Sequence, residues 1–222
     1  MKILALDTAT ENCSAALWIE GSVLQREVEA ERGHAELILS MIDELIKESG
    51  TRLSDLAAIA FGRGPGSFTG VRLAASVTQG LAFGAGVPVV PISDLRVVAQ
   101  RVAAEHVLVC NDARMQEVYW ACFERAADGL MQPVTDERVS KPAEVQLPTG
   151  WVGTGAGRGF AAYTMLQERL ADQLSNIEPT LLPRAHEVVL LAAAEVRAGR
   201  TQPPESAVPT YVRDDVAKPK GP

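Results

Sequence analysis

From Lys2 to Glu29 the apolar and polar positions fall into short runs, KILALD, CSAALWIEG and SVLQREVEA, separated by the turn-forming stretches TATEN and GS. Runs of that length and spacing predict three strands of a meander. The period then changes. Leu37, Ile38, Met41, Ile42, Leu45 and Ile46 recur at intervals of three and four, and Gly50 closes the run, which predicts an amphipathic helix. LAAIAFG reads as a short buried strand, VRLAASVTQGLAFGAG as a second helix and VPVVPIS as the strand after it. A crossover unit of this kind makes the sheet mixed. DLRVVAQRVAAE, 94–105, predicts a connecting helix.

The second half opens with HVLVCNDARMQEVYWACFE and echoes the first. At an offset of 105, Asp112 falls on Asp7, LVCN on ILAL and YWACF on SAALW. Each half then begins with an apolar strand, an aspartate-bearing turn and an apolar strand, which predicts a duplicated unit divided into 1–104 and 105–222. Beyond the echo come a polar stretch at 124–148, a glycine-containing strand WVGTGAGRG, a weak helix FAAYTMLQERLADQL and a strong one, AHEVVLLAAAEVRAG. The proline-rich tail from Thr201 is expected to run over an outer surface or to fray.

The second helix poses a packing problem. Between Gly70 and Gly86 only Arg72, Ser76, Thr78 and Gln79 are polar, so one sheet cannot cover it. The small residues Gly70, Ala74, Gly80 and Gly84 would admit another helix closely, and Leu39 lies outside the first helix's main stripe. Burial within this chain and a subunit interface made by both helices each account for the pattern.

Charge narrows the partners. The net charge is −7, the pI is near 5.1, and the five lysines, at 2, 47, 141, 218 and 220, form no stripe, so the chain alone is a poor binder of nucleic-acid phosphates. The start MKILALDTAT lacks the apolar core of a signal peptide and no run approaches a membrane span, which predicts a cytoplasmic protein with no membrane contact. Cys13, Cys110 and Cys122 sit in apolar runs at no metal spacing and read as buried thiols.

GRGPGSFTG, 62–70, places four glycines and a proline between a strand and a helix. It is not a Walker A motif, because no lysine lies between 48 and 140. Two readings remain: Ser67 or Thr69 caps a helix whose free N–H groups receive an anion, or the glycines serve close backbone packing. Asp7, in the turn DTAT, either positions a metal–phosphate complex or caps the turn, and Asp112 has the same alternatives. His34, His106 and His186 are too far apart in sequence for a helical metal motif, and no G-x-S-x-G elbow is present.

The stretches ILALDTATENCSAALW, GRGPGSFTGVRLAASVTQGLA, NDARMQEVYWA, GTGAG and PTYVRDDVAKPK together resemble the TsaB (YeaZ) family, bacterial tRNA threonylcarbamoyladenosine biosynthesis proteins. The resemblance spans nearly the whole chain. It implies an α/β fold, a duplicated actin/hexokinase/Hsp70-like (ASKHA) core with mixed sheets and two subdomains. It also implies a scaffold without catalytic residues, cofactor or metal of its own. Such a scaffold binds the catalytic paralogue TsaD and works in a complex with the ATPase TsaE; it pairs with itself when the partner is absent and meets tRNA only indirectly. In TsaD-like sequences the segment after the second helix carries a metal-binding H-x-x-x-H; here Asp94 and Val98 stand at those places. The partner surface implied by the family is formed by the helices at 35–49 and 69–85, with Leu39, Gly70, Val71, Ala74, Val77, Thr78 and Leu81 as its contacts. Inherited nucleotide contacts would fall on Asp7, Thr8, Gly64, Gly66 and Asp112. An ATP-dependent kinase or ATPase of the same core, using Asp7, Asp112 and the glycine loops at 64–70 and 153–157, is the rival reading; a peptidase, the family's older label, is the third.

Overall fold

The computed structural model describes residues 1–212; the rest of the tail, with most of PTYVRDDVAKPK, lies outside them. Strands β1 (Lys2–Asp7), β2 (Asn12–Ile19) and β3 (Ser22–Glu29) form the expected antiparallel meander. The amphipathic run becomes α1 (His34–Ser49), closed by a left-handed Gly50. β4 (Ala58–Gly62) leads through the glycine loop into α2 (Phe68–Ala85), and β5 (Val89–Ile92) follows. β4 and β5 add in parallel beside β1, giving the order β3-β2-β1-β4-β5. Alternate strand residues point to opposite faces. Leu4, Leu6, Ala15, Leu17, Ile59 and Phe61 therefore meet Ile38, Leu45, Ala74 and Ala82 of the two helices on one face. Complete burial of a side chain such as Leu45 contributes about 1.5–3 kcal/mol.

Helix α3 (Asp94–Arg101) ends earlier than its apolar pattern predicts, because the backbone turns extended at Val102. The second sheet contains β6 (His106–Asp112) and β7 (Val118–Arg125), with β8 (Met131–Pro133) and β9 (Arg138–Ser140) both on the free edge of β7. β10 (Gly153–Ala156) runs parallel to β6. The weak helix breaks into α4 (Gly159–Ala162) and α5 (Thr164–Arg169), and an unforeseen strand, β11 (Leu174–Glu178), joins β10 in parallel. The order β8-β7-β6-β10-β11 and its strand senses repeat those of the first sheet.

The repeat is real, but its offset is not uniform. Leu4 and Leu6 face α1 and α2; the residues facing α4 and α5 from β6 are Leu108 and Cys110, an offset of 104. Ala15 and Leu17 correspond to Trp120 and Cys122, an offset of 105. The single offset of 105 is thus correct for the second strand and one residue out for the first. A one-residue slip moves a side chain to the opposite face of a sheet. The counterpart of Asp7 is Asn111, and that of Asp112 is Thr8.

Helix α6 (Ala185–Arg197) returns to the first sheet, where Val188, Val189, Leu191 and Ala192 cover Ile3, Ala5, Ala58 and Ala60. Helix α3 is wedged between the halves: Val97 joins that cluster, while Leu95, Val98 and Ala99 pack on Val107, Val109 and Phe123 of the second sheet. The described part of the tail also lies on the first half. Gln202 exchanges backbone hydrogen bonds with Val89, and Thr210 N–H donates to the Arg63 carbonyl at 2.8 Å. No helix among the described residues is long and apolar enough to cross a membrane.

Candidate functional site

The glycine loop is held from several sides. Ser67 caps α2, its Oγ accepting from Gly70 N–H at 3.1 Å, so Ser67 rather than Thr69 is the cap. Ser67 N–H donates to the Ala9 carbonyl at 2.7 Å, and Thr8 Oγ1 donates to the Gly70 carbonyl at 2.7 Å. At Gly64 the clamp is double: its N–H donates to Asp94 Oδ2, and its carbonyl accepts from Asp94 N–H at 3.1 Å. Gly62, Gly66 and Gly70 leave no space for a side chain, Gly62 because Asp7 and Asp94 flank it. A Cβ on Gly70 would overlap the Thr8 carbonyl oxygen, and one on Gly66 would stand 2.7 Å from both Cβ and O of Ala9. Close packing is therefore what the loop achieves.

Under the loop lie two fully buried carboxyl groups, Asp7 at the end of β1 and Asp94 at the start of α3. Asp7 Oδ1 accepts from Ala9 N–H at 2.9 Å, an Asx-type cap of the turn. Asp7 Oδ2 and Asp94 Oδ1 flank Gly62 and find no other donor, so they face one another. Burial pushes Asp94 well above the usual carboxylate range, and the charge of Asp7 adds to it. Burial raises Asp7 too, opposed by the hydrogen bonds from Asp94 and Ala9 and by His34. With its carboxyl turned onto Asp94 and Ala9, Asp7 does not reach out to hold a metal–phosphate complex.

A cleft of about 770 Å³ opens between the halves, walled by the turn at 8–11, the starts of α1 and α2, and the second turn at 111–114. Of the nucleotide candidates, Asp7, Thr8, Gly64 and Gly66 meet at the loop, with Thr8 and Gly64 bonded within the fold and Gly66 packed on Ala9. Asp112 stands across the cleft and accepts from Arg114 N–H at 2.9 Å and from the Tyr163 hydroxyl at 3.0 Å. The second turn carries left-handed backbone at Arg114, Met115 and Gln116. Among the described residues, no group of three or more His, Cys, Asp or Glu could hold a metal ion.

The helix face differs from the expected contact set. Gly70, Val71, Ala74 and Thr78 are buried inside this chain, because they are the side of α2 that packs on the first sheet. They cannot touch a partner directly. Val77 and Leu81 are half-buried, and Leu39 is exposed as expected. The outward stripe of α2 is instead Thr69, Ser76, Gly80, Phe83 and Gly84. Sequence spacing shows that α2 has two apolar sides without telling which one the sheet takes. At the start of the helix Arg72 lies over the Phe68 ring at 3.2 Å and near the Tyr211 ring at 4.8 Å, the first residue mostly exposed and the second about half.

Two copies of one mixed sheet, with helices outside and a cleft between, define a protein of the duplicated actin/hexokinase/Hsp70-like class. The family model described as "TsaD: tRNA N6-adenosine threonylcarbamoyltransferase" matches residues 27–220. The chain is 41% identical to the tRNA threonylcarbamoyladenosine biosynthesis protein TsaB of Escherichia coli, over 98% of this chain and 96% of that one. It is 38% identical to the TsaB of Haemophilus influenzae, over 97% and 95%. The solved structure of YeaZ from Pseudomonas aeruginosa superposes with a TM-score of 0.85 at 39% identity, covering 95% of this chain and 99% of that one. The chain belongs to the TsaB family.

Proposed function

We propose that this chain is a non-catalytic, cytoplasmic subunit of a tRNA threonylcarbamoyladenosine synthase complex. It binds a TsaD-like catalytic paralogue and enables threonylcarbamoyl transfer to the adenosine next to the anticodon. The observation that carries this reading is the exposed sides of α1 and α2: Leu39 on α1 is more than half exposed, and on α2 the more than half exposed Phe83 follows Ser76 and Gly80 along one outward stripe with Gly84. Large apolar side chains next to glycines, where nothing lies within 4 Å of an added Cβ, suit the close approach of another helix. A second copy would use the same face when the paralogue is absent. The acidic balance of the chain supports leaving most tRNA contacts to the partners.

A kinase or ATPase reading has the cleft in its favour, but it needs an aspartate directed at phosphate, and Asp7 is engaged by Asp94. The deciding experiment is a drop-out reconstitution with tRNA, threonine, bicarbonate, ATP and the partner proteins, with modified adenosine scored by mass spectrometry. Modification is expected only when this chain is present, and the chain alone is expected to be inactive. Equal modification without it would overturn the proposal.

A further inference from the structure

Among the described residues, Asp7 and Asp94 are the only pair of buried carboxyl groups that meet without a cation between them. Each has one oxygen committed to the backbone, Asp7 Oδ1 to Ala9 N–H and Asp94 Oδ2 to Gly64 N–H. The two remaining oxygens crowd Gly62 so closely that a side chain there would collide with both. Both residues are 0% exposed, so water does not screen them. Two ionised carboxylates cannot occupy such a place, whereas an O–H···O⁻ bond between them satisfies every atom. The titratable and charged groups facing the pair are His34 of α1 and Cys13 of β2 on the Asp7 side, and Arg63, just past β4, on the Asp94 side. None is hydrogen-bonded to either facing oxygen.

We infer that Asp7 and Asp94 share one proton, and that this proton latches the glycine loop to the first sheet. Asp94 grips Gly64 through both its N–H and its carbonyl, Asp7 grips Ala9, and Ala9 in turn holds Ser67 at the start of α2. Loss of the proton sets two negative charges against each other at the root of all these contacts. The sign follows from linkage. The closed form keeps a proton that an open loop, with an ordinary aspartate, releases above about pH 4. The latch is tightest below that pH, weakens about tenfold per pH unit above it, and levels off once the closed pair has itself lost the proton.

Asp94→Asn supplies the test. Its amide donates permanently to Asp7 and its carbonyl still accepts from Gly64, so the variant imitates the protonated pair. Hydrogen exchange at Gly64, corrected for the intrinsic pH dependence of exchange, would be followed from pH 5 to 9 in both proteins. The ratio of wild-type to variant protection is expected to fall steadily with pH; a flat ratio overturns the latch. Should the variant fail to fold, carboxyl ¹³C spectra of the wild type decide alone. One proton on the pair at pH 7, held well above the usual carboxylate range, is expected, and two fully ionised carboxylates at pH 7 would refute the inference.

Discussion

Thr8 and Gly70, 62 residues apart, are in contact twice: the Thr8 hydroxyl donates to the Gly70 carbonyl at 2.7 Å, and the Gly70 Cα lies directly against the Thr8 carbonyl. Helix propensity favours Gly70→Ala by about 1 kcal/mol, since alanine is the better helix former. The collision with fixed backbone opposes it, and overpacking of this kind costs about 1–3 kcal/mol. Gly70→Ala is therefore expected to lower stability in urea titration. Gly80→Ala, on the same helix with open space around it, is expected to raise stability by about 0.5–1 kcal/mol. Stabilisation by both changes would contradict the close packing described.

The two sides of α2 separate folding from docking. Ala74 is 0% exposed beneath the helix, and Ala74→Arg would place an unpaired charge in the core. That variant is expected to aggregate or unfold, and so cannot test an interface. Ser76→Arg and Gly80→Arg point outward. They are expected to melt no lower than the wild type while weakening association with the TsaD-like partner at least about 100-fold, as a charge desolvated at an interface does. Calorimetric titration of the partner into each folded variant measures this, and unchanged affinity would remove α2 from the interface.

This difference shows what the sequence could convey. The helical period of α1 and the alternation of β1 to β3 were legible because burial on one face leaves a repeating imprint on residue type. In α2 both sides are apolar or small, so spacing alone could not choose between Ala74 and Gly80. Strand β11 escaped notice because Ser175 and Asn176, at the sheet's edge, are exposed and erase the alternation. The echo between the halves was visible, but matching aspartate to aspartate put β6 one residue out; only the faces taken by Leu108 and Cys110 reveal Asn111 as the counterpart of Asp7. The role of Asp94 left no local signal, since an aspartate after Ser93 reads as the ordinary start of a helix.

Helix α6 is anchored by a charge pair. Arg184 donates through Nε and Nη2 to the two carboxylate oxygens of Glu187 at 2.6 and 2.7 Å, and Glu187 is almost wholly buried. Arg184→Met would leave that carboxylate with His186 as its hydrogen-bonded neighbour and Arg101 within electrostatic reach. Breaking one side of a buried pair typically costs about 3–5 kcal/mol. Because Arg184 is partly exposed, a loss nearer about 2 kcal/mol is expected. Adding Glu187→Gln should restore about half of it. A double-mutant cycle on urea unfolding with no coupling between the two positions would contradict the anchoring role.

The three thiols give a direct reading of core integrity. Burial pushes Cys13 up to about 11, aided by the charge of Asp7, and Cys122 up to about 12 against a hydrogen bond involving Thr135; burial also holds Cys110 well above the ordinary thiol range. Thiolate is the reactive form, so at pH 8 only about one Cys13 in a thousand and one Cys122 in ten thousand would be ionised even if reagent could reach them. In the folded protein, Ellman's reagent at pH 8 is therefore expected to label no cysteine rapidly, and all three within seconds to minutes in 6 M guanidinium, roughly the time of a simple thiol. Cys13 lies on β2 beneath α1, whereas Cys110 and Cys122 lie in the second half's core. Slow labelling under native conditions, resolved by peptide mass, would report the opening of each half separately. Rapid native labelling of Cys110 or Cys122 would show that the second core is not closed as described.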